Sequence, residues 1–206
     1  MKLPVKIINH YKNYKKQIRD RLLDFKHVPE SEYFYELCFC LCTPQSKAAN
    51  AFLVVEKLKQ LDFQNKNINP LNILNDKSHY IRFHNQKAKN LINMKSIFPE
   101  IFSVLKSKIN PEKKRLWLAE NIKGLGMKES SHFLRNIGYR ELAILDRHIL
   151  KHLVECGVYK EIPKVGSVKQ YLEVEKDFIR FSKIVKINID ELDLLFWSYE
   201  TGEILK

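Results

Sequence analysis

The sequence predicts an all-α protein. Apolar residues recur at three- and four-residue spacings through most of the chain, as they do along one face of an α-helix. The strict alternation of apolar and polar residues that is typical of a strand is nearly absent. The composition suits a folded chain, since 45% of the 206 residues are hydrophobic and only six are Gly and seven Pro. We therefore expect one helical protein with a substantial core.

The first third of the chain predicts three helices. An amphipathic helix with a basic outer face is expected over residues 7–25. The stretch 32–42 is apolar on most sides, which predicts a central helix with Ser31 or a neighbour as its cap. Pro44 ends this helix, because the residue before a proline is pushed out of helical geometry. The third helix follows over residues 45–61.

The remaining elements are also helical. An Asn- and Lys-rich loop over residues 62–69 precedes a short helix that Pro70 opens, and residues 81–98 predict a helix whose basic face includes Lys87. Asn110-Pro111 is a helix start, with asparagine as the cap and proline in the first turn. Beyond Gly138, three further helices are expected over residues 146–156, 168–187 and 190–199.

The chain is strongly basic. Its 36 Lys and Arg against 24 Asp and Glu give a formal charge of +12, which favours a polyanionic partner, most commonly nucleic acid. A lysine-rich surface without such a partner would give the same charge. No apolar run reaches 18 residues and no signal-peptide segment is found, so we expect a cytoplasmic protein without membrane contact.

The four cysteines predict buried structural thiols. Cys38, Cys40 and Cys42 alternate within an apolar run, and Cys156 stands alone. On a helix Cys38 and Cys42 share a face while Cys40 points elsewhere, which is poor geometry for a metal site. Unpaired buried thiols are typical of a reducing compartment.

A glycine-containing turn between two predicted helices is the segment most informative about function. The first helix ends near residue 122 and the second stops at Gly138. Two glycines around one apolar residue permit a tight turn, and the following helix N-terminus offers unpaired N–H groups to an anion. Such a hairpin can hold a DNA phosphate without reading its base, although an ordinary αα-hairpin is the alternative. The turn comprises Lys123, Gly124, Leu125 and Gly126.

A lysine and a carboxylate follow this turn. Lys128 stands at the hairpin exit and Asp146 at the start of a later helix, after an apolar run. In general, a partly desolvated amine becomes a nucleophile that can form a Schiff base with a sugar carbon. A nearby carboxylate can stabilise the cationic sugar that forms as a base leaves. The alternatives are a solvated lysine and a plain helix cap.

These residues lie in a stretch that resembles a known family. Residues 121–139, NIKGLGMKESSHFLRNIGY, resemble the signature of the helix-hairpin-helix DNA glycosylase superfamily. Together with residues 143–150, AILDRHIL, they are similar to the archaeal-type second subfamily of 8-oxoguanine DNA glycosylase/AP lyases. A looser similarity over residues 34–40 and 191–197 extends the resemblance to essentially the whole chain.

The resemblance implies an architecture and a reaction. Residues 1–206 would form one glycosylase unit with two helical subdomains flanking a cleft, one of residues 28–137 and the other of residues 1–27 plus 138–206. Lys128 would attack C1′ of a nucleotide flipped out of the duplex, and Asp146 would assist. β-Elimination from the Schiff base would nick the strand, so the enzyme would be bifunctional. The implied partner is double-stranded DNA containing an oxidised purine, bound by a monomer associated with the nucleoid.

The resemblance also assigns secondary sites. The terminal carboxylate of Lys206 would help recognise the oxidised base, and Phe83 and Trp197 would lie near the flipped base and its widowed partner. A frayed end and core aromatics are the respective alternatives. No iron–sulfur cluster is expected, because only Cys156 lies beyond Asp146. A monovalent cation is expected beside the phosphate, on the backbone carbonyls of Glu120, Ile122 and Leu125.

Two features leave alternatives open. Residues 43–46 (Thr-Pro-Gln-Ser) depart from the Leu-Thr-Ala-Asn type of segment expected there, which keeps open an endonuclease-III-like enzyme for oxidised pyrimidines. A non-catalytic DNA-binding module is the further alternative. His148 and His152 stand four residues apart as a possible two-ligand metal face. Without a third ligand, a DNA-facing or solvated pair is the favoured interpretation.

Overall fold

The computed structural model describes residues 1–204, and every regular element in this range is helical, which confirms the all-α prediction. Two 3₁₀ helices span Glu30–Glu32 and Lys77–His79. The α-helices are α1 (Val5–Lys26), α2 (Tyr33–Cys42), α3 (Ala48–Gln60), α4 (Leu71–Leu74), α5 (His84–Ser96), α6 (Phe98–Lys106), α7 (Pro111–Asn121), α8 (Met127–Asn136), α9 (Arg147–Glu155), α10 (Val168–Val185) and α11 (Ile189–Thr201).

The helices form two compact units. One comprises Pro29–Phe133, and the other comprises Met1–Val28 together with residues 134–204. The second boundary therefore lies four residues before the one that the family resemblance implies. Packing explains why the end of α8 belongs to the second unit, because Arg135 near the end of α8 forms a buried ion pair with Asp193 of α11. The same guanidinium lies 5.2 Å from the ring centroid of Phe25 on α1.

Helix α2 is the centre of the Pro29–Phe133 unit, as the sequence predicts. All nine residues from Phe34 to Cys42 are buried. The ring of Phe34 packs edge-on against Phe98, with 5.0 Å between the centroids. The predicted cap is wrong, however, since α2 follows directly on the 3₁₀ helix Glu30–Glu32 and no side chain caps it. The N–H of Tyr33 instead bonds to the carbonyl of Glu30.

Two predicted helix starts are wrong for the same physical reason. Gln45 and Phe83 both have left-handed backbone conformations, with φ of 56° and 60°. A left-handed residue cannot lie inside a right-handed helix. Helix α3 therefore begins at Ala48 and α5 at His84, each three residues later than expected.

The stretch after α5 contains a helix that the sequence analysis missed. Helix α5 ends at Ser96, and α6 begins at Phe98 with Pro99 in its first turn. Proline is tolerated in the first helical turn because its missing N–H would have no intrahelical acceptor there. Asn110, by contrast, caps α7 as predicted, since its side chain accepts the N–H of Lys113 at 2.9 Å.

The other unit is built around α11. Both α1 and α9 pack against this helix. Helix α1 buries Ile7, Ile18 and Leu22 on one face and leaves most of its basic residues exposed, as its pattern predicts. No helix within the described residues is long and apolar enough to cross a membrane.

The cysteines are buried and unpaired, as expected. Cys38, Cys40, Cys42 and Cys156 are each at most 2% exposed, and none forms a disulfide. Burial raises the pKa of the Cys42 thiol to about 12 and that of Cys156 also to about 12. These thiols are therefore protonated near neutral pH and chemically inert. Residues 1–204 contain no group of three or more His, Cys, Asp or Glu that could hold a metal ion.

Candidate active site

The hairpin lies where the sequence predicts it, between α7 and α8. Ile122 leaves the helical conformation, and Gly124 has a φ of +92°. The N–H of Leu125 donates to the carbonyl of Ile122 at 3.0 Å and closes the turn. The Leu125 side chain is buried, whereas Lys123, Gly124 and Gly126 are exposed. The turn thus presents its backbone and one cation to solvent while an apolar residue anchors it.

Two features of the hairpin, its backbone conformation and its close packing, require glycine at position 124. Its positive φ is unfavourable for any residue with a Cβ. A Cβ at this position would also lie 2.3 Å from Nδ2 of Asn90 on α5 and 3.2 Å from Cδ2 of Leu41 on α2. Gly126 is less constrained, since its Cβ would meet only the carboxylate of Glu129 at 3.3 Å. The hairpin therefore packs tightly on α5 through Gly124.

We expect the substitution Gly124→Ala to destabilise the protein by about 2–4 kcal/mol, because overpacking and a left-handed alanine add. Urea denaturation of the purified variant measures this change. Gly126→Ala is the matched control and should cost no more than about 1 kcal/mol. Equal destabilisation by the two substitutions would contradict the close approach described at Gly124.

Lys128 lies in the first turn of α8 and is paired with its neighbour. Its Nζ is 2.9 Å from Oε1 of Glu129, and the Lys128 side chain is 36% exposed. Oε2 of Glu129 accepts the N–H of Gly126 at 3.2 Å, which is half of a capping box. Glu129 therefore holds both the helix start and the amine. Residue type alone does not single out Glu129, although its position three residues after Gly126 is a capping-box spacing.

Asp146 caps α9. Its Oδ1 accepts two backbone hydrogen bonds, from the N–H of His148 at 2.8 Å and from that of Ile149 at 2.9 Å. Asp146 therefore has the geometry of a plain helix cap. Its second oxygen, Oδ2, has no hydrogen-bond donor among the described residues and can interact with a substrate.

The segment leading to Asp146 is fixed by α10. The hydroxyl of Tyr171 donates to the carbonyl of Ala143 at 2.6 Å and accepts the N–H of Leu145 at 3.2 Å. A carboxylate oxygen of Glu175 accepts the N–H of Ala143 at 2.8 Å. These side chains satisfy the backbone of a buried, non-helical segment. They are positioning residues that only tertiary structure reveals.

Asp193, a second carboxylate of the unit built around α11, interacts electrostatically with Asp146. Burial raises the pKa of Asp193 to about 7; the paired Arg135 opposes this shift, and the negative charge of Asp146 adds to it. Asp146 and Asp193 are therefore close enough to interact electrostatically.

The other predicted contact residues differ in exposure. Phe83 is 50% exposed, and the guanidinium of Arg82 lies 5.0 Å from its ring centroid. Trp197 is half-buried on α11. Lys206 lies outside the described residues. The carbonyl of Ile122 already accepts one hydrogen bond, so a cation there would use its second lone pair.

The interpretation of His152 as solvated or DNA-facing is wrong. Its ring is fully buried and stacks on Phe196, with 4.6 Å between the centroids. Its two nitrogens lie 3.1 Å from carboxylate oxygens of Glu155 and of Glu200. Burial lowers the pKa of His152. His148 lies at a longer distance, 3.7 Å, from the carboxylate of Glu200. The pair is therefore part of the packing between α9 and α11.

The all-helical fold and the glycine hairpin between α7 and α8 are those of the helix-hairpin-helix DNA glycosylases. Residues 18–187 match the family described as 8-oxoguanine DNA glycosylase, and the chain belongs to this family. It is 39% identical to the 8-oxoguanine DNA glycosylase/AP lyase of Fusobacterium nucleatum, covering 95% of this chain and 94% of that protein. It is 35% identical to the corresponding enzyme of Methanocaldococcus jannaschii, covering 98% of this chain and 99% of that one.

Solved structures agree with these relatives. The M. jannaschii 8-oxoguanine glycosylase/lyase, in complex with a 15mer DNA containing 8-oxoguanine, matches with a TM-score of 0.86 and 35% identity, covering 98% of each chain. The 8-oxoguanine DNA glycosylase of Thermotoga maritima also matches with a TM-score of 0.86, at 28% identity, over 98% of this chain and 97% of that one. Fold and family therefore agree over nearly the full length.

Proposed function

We propose that this protein removes 8-oxoguanine from double-stranded DNA and cuts the strand at the resulting abasic site through a Schiff base on Lys128. The observation that carries the proposal is the family match over residues 18–187, which includes the hairpin and a lysine at its exit. Its relatives carry both activities in their names, and one of them binds DNA containing 8-oxoguanine. These findings favour an oxidised purine over an oxidised pyrimidine, and an enzyme over a binding module.

The hairpin supplies affinity for the strand. The exposed backbone of Gly124, the N-terminus of α8 and the ammonium of Lys123 offer donors and positive charge to a phosphate. Contacts of this kind carry no information about the base. Selectivity for the lesion must come from other groups.

Lys128 supplies the nucleophile. Its unprotonated amine forms a bond to C1′ while the bond from C1′ to the base breaks, and the base leaves with that electron pair and takes up a proton. Opening of the sugar ring gives the protonated Schiff base. Loss of a proton from C2′ then expels the 3′ phosphate oxygen, and water releases the shortened strand and the free amine. Glu129 orients the amine within the first turn of α8.

Asp146 supplies negative charge. In the proposed reaction Oδ2 stabilises the cationic sugar that develops as the base leaves, because Oδ1 is engaged by two backbone N–H groups. The two backbone donors keep this carboxylate oriented.

The remaining proposals concern recognition of the base, a bound cation, the oligomeric state and the location in the cell. Lys206 takes part in recognition of the oxidised base, with Phe83 and Trp197 near the flipped base and its widowed partner. A monovalent cation binds the carbonyls of Glu120, Ile122 and Leu125, without an iron–sulfur cluster elsewhere. The protein acts as a monomer in the cytoplasm, associated with the nucleoid.

Borohydride trapping tests the proposed function. The full chain is incubated with duplexes that carry one 8-oxoguanine, one thymine glycol or one abasic site. We expect a covalent adduct with the 8-oxoguanine and abasic duplexes. An adduct with thymine glycol in place of 8-oxoguanine would move the substrate to oxidised pyrimidines. The absence of an adduct from all three duplexes would leave only a DNA-binding module.

A further inference from the structure

A buried lysine outside the proposed chemistry joins three parts of the Pro29–Phe133 unit. Lys87 on α5 is only 6% exposed. Its Nζ donates to the carbonyl of Cys42 at 2.7 Å, to the carbonyl of Pro44 at 2.6 Å and to the hydroxyl of Ser46 at 3.2 Å. An ammonium has three N–H donors, and all three are used here. Lys87 therefore does not lie on the basic helix face on which the sequence places it.

Two of the three partners of Lys87, Pro44 and Ser46, belong to a largely half-buried turn, and Ser46 connects this turn to a second one. Residues 43–46 form the first turn, and Ser46 also accepts the N–H of Arg82 at 3.0 Å. Arg82 and Phe83 form the second turn, immediately before α5. The ammonium and the Ser46 hydroxyl thus hold the two turns together.

Each turn contains a strained residue whose side chain is exposed. Gln45 and Phe83 both have left-handed backbones, which is unfavourable for residues with a Cβ. Both side chains lie at the surface, so their own burial does not stabilise this conformation. Besides the backbone bonds from Ser46 to Thr43 and from Lys87 to Phe83, the side-chain contacts of Lys87 and Ser46 hold the strained turns in place.

The same helix supports the hairpin. Asn90, one turn after Lys87, lies against Gly124. Burial lowers the pKa of Lys87 to about 8; the charge of Glu129 opposes this shift, and that of Lys128 adds to it. Lys87 is therefore within electrostatic range of both charged residues at the start of α8. The two turns and the hairpin exit belong to one region of this unit.

We propose that Lys87 is a positioning residue for base extrusion, which fixes Gln45, Arg82 and Phe83 as one rigid surface that enters the duplex where the damaged base leaves. The inference rests on the proposed function. An enzyme that flips a base must replace lost stacking, and a held aromatic ring, a guanidinium stacked on it and an amide can do so. Rigid turns perform this replacement better than mobile ones, because no ordering cost accompanies it.

The test compares two substrates in single-turnover reactions. We expect Lys87→Met to slow excision from an 8-oxoguanine:cytosine duplex by about 30-fold, since displacement of a contact by ~1 Å can cost up to about 100-fold. Cleavage at a preformed abasic site, where no base is extruded, should change by less than about threefold. Lys87→Arg should recover part of the excision rate. Lys89→Met, at an exposed position of α5, is the matched control and should match the wild type.

Ser46→Ala keeps the proposal testable if Lys87→Met does not fold. It removes the hydroxyl shared by Lys87 and Arg82, and excision should slow in the same direction by about fivefold, as for one lost hydrogen bond. Equal loss on both substrates, or unchanged excision, would show that Lys87 only stabilises the fold. A wild-type protein that cleaves abasic sites but never excises 8-oxoguanine would contradict the proposed function itself.

Discussion

Lys128→Gln is expected to give no borohydride-trapped adduct with 8-oxoguanine DNA and to lower strand cleavage by at least about 1,000-fold, because glutamine cannot form a Schiff base. The fold should be unaffected, since the Lys128 side chain is partly exposed and, within the described residues, forms an ion pair with the carboxylate of Glu129 only. The expected change in the free energy of unfolding is within about 0.5 kcal/mol. Trapping gels and urea denaturation on the same preparation measure both quantities.

Lys123→Gln is the informative companion variant. This lysine lies in the same hairpin and is exposed, and its proposed role is phosphate binding alone. The variant should bind duplex DNA more weakly, with a smaller dependence on salt, and should still be trapped at saturating DNA. A trapped adduct from Lys128→Gln would assign the nucleophile to another amine.

Asp146→Asn is expected to lower base excision by about 100-fold or more while leaving stability nearly unchanged. Asparagine caps a helix about as well as aspartate, so the bonds to the His148 and Ile149 N–H groups can persist. Only the negative charge is lost, and removal of one electrostatic stabiliser typically costs two to three orders of magnitude in rate. Single-turnover excision and thermal denaturation provide the two measurements.

Asp146→Ala separates the two roles of this residue. It removes both the charge and the cap, so it should match Asp146→Asn in rate and in addition destabilise the protein by about 1 kcal/mol. If Asp146→Asn retained wild-type excision, the carboxylate would be a helix cap only. If both variants were equally destabilised, the helix cap would depend on the charge of Asp146. The slower excision by Asp146→Asn would then reflect a lost cap as well as a lost charge.

Local signals in the sequence predicted much of the fold. The apolar run of α2, the cap at Asn110 and the turn at Gly124 each depend on neighbours within a few residues. The helix starts at Ala48 and His84 were predicted wrongly because a left-handed residue precedes each helix region, and no local pattern identifies it. Lys87 is the clearest case. It was assigned to a basic outer face, yet its partners lie more than 40 residues away in sequence.

The candidate site divides in the same way. Lys128 and Asp146 could be selected from residue type, spacing and family resemblance. Tyr171 and Glu175, which hold the segment before Asp146, could not, because their bonds join α10 to residues about 30 positions earlier. Long-range hydrogen bonds to irregular backbone leave no periodic trace in a sequence.

The capping bonds of Asp146 have a consequence for temperature dependence. An aspartate on a loop samples several rotamers, and the fraction of molecules with a productive orientation changes on warming. Two backbone bonds to Oδ1 confine this side chain to one rotamer before DNA arrives, so folding has already removed that entropy. The excision rate should therefore follow a single linear Eyring plot up to the onset of unfolding, without a break from side-chain reorganisation.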